Sequence, residues 1–138
     1  MAELCMALVN GMFDYSAARV DKAYSTRDVE FPERDAVARR LDRVFDSIVS
    51  LDASAIKDTI FSRSPVFYSL VLVLDARSRQ PAKRTLEQII WEIDSRFNDS
   101  RPASERPEED VAFVAACTAS TQRIRSRRIR ADYIASFF

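Results

Sequence analysis

Pro65 to Leu74 reads P-V-F-Y-S-L-V-L-V-L, ten consecutive positions with a single small polar residue, Ser69, and a chain carrying such a run must build its core around it. Ser64 is a good N-cap residue, and Pro65 suits the first helical position, where its missing N–H costs nothing and its fixed φ is already helical. A buried strand is the competing reading, because Val66, Val71 and Val73 are β-branched and periodicity does not separate a short buried strand from a buried helix segment. The capping pattern favours a helix over residues 64–77. Since its apolar residues cover every side, that helix has to be enclosed by others, with Phe67, Leu70, Val71 and Leu74 nearly inaccessible.

The chain has 138 residues, enough to bury a sizeable core as a single domain. It contains one glycine, which disfavours hairpin-rich β folds and excludes a glycine-rich phosphate loop. The expected class is therefore all-α, a compact bundle of five to seven helices around the central helix. Histidine is absent, which removes Ser-His-Asp and Cys-His catalysis and histidine metal sites. No catalytic residue, metal site or cofactor is expected. Cys5 and Cys117 sit in apolar helical contexts with no metal-like spacing and read as buried free thiols in a reducing compartment. The start of the chain lacks a basic segment, and no apolar run approaches the ~20 residues of a membrane helix. A cytoplasmic protein without membrane attachment is expected.

In chain order, Leu4, Cys5, Leu8, Val9 and Met12 share one helical face, while Phe13, Ala17, Val20 and Tyr24 make a second stripe roughly opposite it. Gly11 between them marks a bend or close packing, or is a tolerated helix glycine. Phe31-Pro32 opens the next helix, with Val37, Leu41, Val44, Phe45, Ile48 and Leu51 inward. Residues 52–61 read as a short helix. Thr85 and Gln88 form a capping-box pattern ahead of Leu86, Ile89, Ile90, Ile93 and Phe97. Trp91 projects about 140° from Leu86 and either packs on a second neighbour or faces solvent. Glu108, Glu109 and Asp110 suit a helix first turn, with Val111, Val114 and Ala115 inward, and Ser120 or Thr121 is the expected cap of the last helix.

That last helix, from Gln122 to about Ser136, is the one locally basic segment. Ile124, Ala131, Ile134 and Phe138 form one apolar face, and Ile129, Tyr133 and Phe137 form another, so it is clamped between two layers. Arg125, Arg128 and Asp132 fall on one flank; Arg123, Arg127 and Arg130 fall on the other with no acid nearby in sequence. Those three arginines either contact a DNA or RNA backbone or are neutralised within the fold, for example by the Glu108 to Asp110 group.

Four stretches together resemble one family: L-C-M-A-L-V-N-G at 4–11, D-K-A-Y-S-T-R-D-V-E-F-P-E-R-D at 21–35, F-S-R-S-P-V-F-Y-S-L-V-L-V-L at 61–74 and T-A-S-T-Q-R-I-R-S-R-R-I at 118–129. They look like the helical C-terminal region of bacterial proteins that carry the ParB/sulfiredoxin-like nuclease domain of GmrSD-type, modification-dependent restriction and phage-defence systems. In that family the nucleotide-dependent activity is implied to lie in a preceding domain, with an acidic loop containing glycine and glutamine followed by arginine. This chain has no such loop, so the resemblance implies a non-catalytic accessory module and carries over no catalytic residue. The partner it implies is a nuclease-like N-terminal domain or another subunit. An independent, homo-oligomerising helical interaction protein is the alternative. Leu4, Leu8 and Trp91 are the apolar positions expected to meet a partner.

Overall fold

Every regular element among the described residues of the computed structural model, 2–12, 16–27 and 32–138, is helical. In order these are α1 (Ala2–Asn10), α2 (Ala17–Arg27), α3 (Arg34–Val49), α4 (Ala53–Lys57), α5 (Ser64–Asp75), α6 (Lys83–Phe97), α7 (Glu108–Thr118) and α8 (Ile124–Ala135). Two 3-10 turns, Ile60–Ser62 and Ala103–Glu105, link α4 to α5 and α6 to α7. The all-α class follows as expected from the sequence. The helix count passes seven because the N-terminal pattern divides at Gly11 and the 52–61 segment is a five-residue helix followed by a 3-10 turn. Gly11 has φ +81°, and its N–H donates to the Ala7 carbonyl at 2.9 Å, so it ends α1 in the left-handed region. A Cβ there would meet nothing within 4 Å, so the backbone angle, not close packing, calls for glycine. Phe13 and Phe31, and the side chain of Tyr24, lie outside the described residues; Ala17 is exposed and Val20 half-buried.

The apolar run forms α5, which packs on α8, α3, α1 and the first 3-10 turn. Val66, Leu70, Val71 and Leu74 are fully buried, each worth about 1.5–3 kcal/mol of transfer free energy. Phe67 departs from expectation. It is half-buried and stacks on Phe45, ring centroids 6.4 Å apart. Ser64 is the first helical residue and not the cap, because Arg63 both closes the 3-10 turn and precedes α5 with φ −80° and ψ 124°. The proline sits in the first turn, as its chemistry requires. At the other end of α5, Asp75 is gripped by Arg40 of α3, with Nε to Oδ1 at 3.0 Å and Nη2 to Oδ2 at 2.5 Å. Arg40 Nη1 also donates to the Leu8 carbonyl at 2.9 Å, so one forked side chain ties α1, α3 and α5 together.

On α6, Leu86, Ile89, Ile90 and Ile93 are buried as their spacing predicts. The helix starts two residues before Thr85, with Ala82 at the cap position and no side-chain cap bond. Its polar edge is stitched to the preceding segment: Glu87 Oε1 accepts from the Asp52 N–H at 2.9 Å and Asp94 Oδ1 from the Ile60 N–H at 2.8 Å. Helix α7 is rotated from the expected register. It buries Asp110, Phe113, Ala116 and Cys117, leaves Val111 and Val114 half-buried and exposes Ala115. The cause is aromatic packing, since Phe113 stacks on Tyr133 at 4.1 Å between centroids and meets Phe97 edge-on at 6.4 Å.

Candidate functional site

Helix α8 crosses α5 and α7 and brings its arginines inside. Arg127 is 2 % exposed and Arg130 1 %. The reason is helical register: Ile124, Arg127, Ala131 and Ile134 fall at i, i+3, i+7 and i+10, so Arg127 sits in the middle of the apolar stripe, and Arg130 one position beside it. The outer side of α8 is instead Arg125, Arg128, Asp132 and Ala135, all exposed. The expected flank of Arg123, Arg127 and Arg130 therefore does not exist as a surface. Only Arg123 is exposed, and it precedes the helix as its cap residue with φ −68° and ψ 140°, a place expected for Ser120 or Thr121. Ser120 takes φ +49° in the turn, and its carbonyl accepts from the Arg123 N–H at 3.0 Å.

Two buried guanidinium groups need acceptors, and the fold supplies them both from the neighbouring α7–α8 segment and from distant parts of the chain. Arg127 Nε donates to the Gln122 carbonyl at 3.1 Å, Nη1 to the Tyr68 hydroxyl at 3.0 Å and Nη2 to Gln122 Oε1 at 2.7 Å. Its Nη2 also pairs with Glu3, 124 residues away on α1, whose side chain is 25 % exposed. The guanidinium lies 4.9 Å from the centroid of the Tyr68 ring. Burial raises the Tyr68 phenol pKa, with the Arg127 charge working against it. Arg130 turns to neutral acceptors: Nε to Ser69 Oγ at 3.1 Å, Nη1 to the Ala116 carbonyl at 2.6 Å and Nη2 to the Thr121 carbonyl at 2.9 Å. Burial foremost, and the charge of Arg127 with it, lowers the Arg130 pKa.

Glu108, Glu109 and Asp110 form the first turn of α7, as the sequence suggests. Asp110 Oδ1 accepts from the Tyr133 hydroxyl at 2.6 Å and lies 3.7 Å from Arg96 Nη1. Cys117, on the buried side of α7, has its thiol pushed up to about 11 by burial, which keeps it protonated and unreactive. Among the described residues, no group of three or more His, Cys, Asp or Glu side chains could hold a metal ion, and no helix is long and apolar enough to cross a membrane.

The apolar positions expected at an interface divide. Leu4 and Leu8 are 7 % and 8 % exposed, because the same chain covers α1 with α3 and α5. Trp91 is 44 % exposed. It lies one turn beyond Glu87 and one turn before Asp94, whose carboxylates accept from the Asp52 and Ile60 N–H groups. Val49, which sequence reasoning passed over, is 80 % exposed at the end of α3, three residues before Asp52. The Asp52–Glu87 bond ties the segment that follows α3 to α6.

A second feature is a cleft of about 380 Å³ between α1, α5 and the start of α8. Arg127 and Arg130 line it, together with Glu3, Tyr68 and Gln122. Sequence spacing carried a signal for the arginines, the interruption of an apolar stripe by Arg127, but none for Glu3 or Tyr68, which only the tertiary fold brings in. Comparison with family models, with curated proteins and with solved structures finds no match to this chain.

Proposed function

We propose that this chain is a non-catalytic helical interaction module that docks a partner over the α6 face carrying Trp91. The observation that carries this reading is the 44 % exposure of a tryptophan on a helix whose neighbouring carboxylates, Glu87 and Asp94, are fixed to the 52–60 segment. Tryptophan combines large contact area with few rotamers to freeze, which is why it is enriched among the residues that dominate protein interfaces. The resemblance to the helical region of GmrSD-type proteins makes a ParB-like nuclease domain, on the same polypeptide or on another subunit, the partner of this reading. A second copy of the chain is the alternative occupant.

As Trp91 is the one tryptophan, its fluorescence reports on this face alone. Sedimentation velocity over a concentration series, and with a ParB-like nuclease domain added, is expected to show association accompanied by a blue shift of the emission. Trp91→Glu, which also removes the fluorophore, should abolish the association seen by sedimentation while leaving the thermal transition in place. A wild-type chain that stays monomeric with solvent-like emission under every condition, or a Trp91→Glu variant that associates like wild type, rejects the proposal.

A further inference from the structure

The cleft lined by Arg127 includes no residue of α6 and suggests a ligand of its own. Its wall is apolar, formed by Leu4, Phe45, Ile56, Phe61 and Phe67. Phe45, Ile56 and Phe67 are each half-buried, so the wall keeps apolar surface uncovered by the protein. Its cationic groups are Arg127 and Arg130, with Gln122 and the Tyr68 hydroxyl already accepting from Arg127. Arg130 is held by a hydroxyl and two carbonyls, which satisfy its hydrogen bonds without cancelling its charge. The carboxylate that meets Arg127 from α1 is Glu3, the more exposed member of the pair at 25 % against 2 %.

We propose that this cleft binds a small amphiphilic carboxylate, its apolar body against the Phe45–Ile56–Phe67 wall and its carboxylate on Arg127 in the place that Glu3 takes. Glu3 is in effect an internal occupant of a carboxylate site. The forked guanidinium is matched to a planar carboxylate, and the position is already shaped around one. A volume of about 380 Å³ falls within the usual ~300–1,000 Å³ of small-molecule sites. Burial of the arginine makes the head-group contact selective, because a neutral analogue entering the cleft gives up the charge-assisted bond. Glu3 and the ligand compete for one guanidinium, so binding loosens the tie between α1 and α8.

The test is calorimetric titration of octanoate and of octan-1-ol into the full chain. Octanoate is expected to bind with one-to-one stoichiometry, about tenfold or more tighter than the alcohol. Glu3→Gln, which removes the competing charge, should tighten octanoate further, an outcome that a purely structural Glu3–Arg127 pair does not produce. Absence of saturable octanoate binding to wild type and Glu3→Gln alike, equal affinity for acid and alcohol, or no gain from Glu3→Gln overturns the proposal. Should Glu3→Gln fail to fold, Ile56→Trp, which fills the cleft without touching the arginines, must abolish octanoate binding with the melting transition preserved. Octanoate binding retained in that folded variant overturns the proposal equally.

Discussion

The Tyr133 hydroxyl donates to Asp110 Oδ1 at 2.6 Å, joining the first turn of α7 to the last turns of α8 through a contact in which both side chains are buried. The phenol ring is at the same time stacked on Phe113, so one residue supplies apolar area and the donor that Asp110 requires. A buried carboxylate without its donor keeps the desolvation cost and loses the compensation.

Tyr133→Phe preserves the stack and removes the donor, leaving Asp110 with Arg96 at 3.7 Å. The expected cost is about 1.5–3 kcal/mol, the range for a hydrogen bond to a charged group. Urea unfolding should show a lower midpoint at unchanged slope. A midpoint equal to wild type would mean that Asp110 is satisfied without Tyr133.

Alkaline pH should destabilise the fold through Cys117 first. Its thiol is pushed from an ordinary 9.0 up to about 11 by burial, so the folded chain holds that proton more tightly than the unfolded one. The contribution is complete below about pH 9 and is lost as pH rises through about 11. Tyr133 acts in the same sense, its phenol pKa raised by burial and by the hydrogen bond to Asp110. Stability measured against pH should fall across this window, and Cys117→Ala should remove the earlier part of the fall. Native protein at pH 8 should leave one of its two thiols unmodified by a disulfide reagent until denaturant is added. Full modification of both thiols in the native state would contradict the burial of Cys117.

Which parts of this structure could be read in the sequence follows from the range of the interactions involved. Helix α5 was legible because an all-round apolar run admits few placements, and the stripes of α3 and α6 were legible because burial repeats at the helical period. Helix starts were less so. Ser64, Thr85 and Thr121 are good cap residues that do not cap, since Arg63, Ala82 and Arg123 take the non-helical backbone angles without any side-chain bond. The rotation of α7 depends on Phe113 finding Tyr133 twenty residues on, and the burial of Leu4 and Leu8 depends on α3 and α5 covering α1. For α8 the charge of the arginines outweighed their register, although Arg127 interrupts the Ile124–Ala131–Ile134 stripe at a buried position. Three of their acceptors, Glu3, Tyr68 and Ser69, come from between 59 and 124 residues away, and no local pattern announces them.

The most direct test of whether the basic helix is a core element is a comparison of two charge reversals, Arg127→Glu with Arg130→Glu against Arg125→Glu with Arg128→Glu, each followed by denaturant unfolding and by salt-dependent binding to duplex DNA. Each buried arginine that loses its partners is expected to cost about 3–5 kcal/mol, so the first double variant should be unfolded or nearly so, whereas the exposed pair should shift stability by only about 0.5 kcal/mol. A first variant that stays as stable as wild type while losing DNA binding would contradict the account and return Arg127 and Arg130 to a nucleic-acid surface.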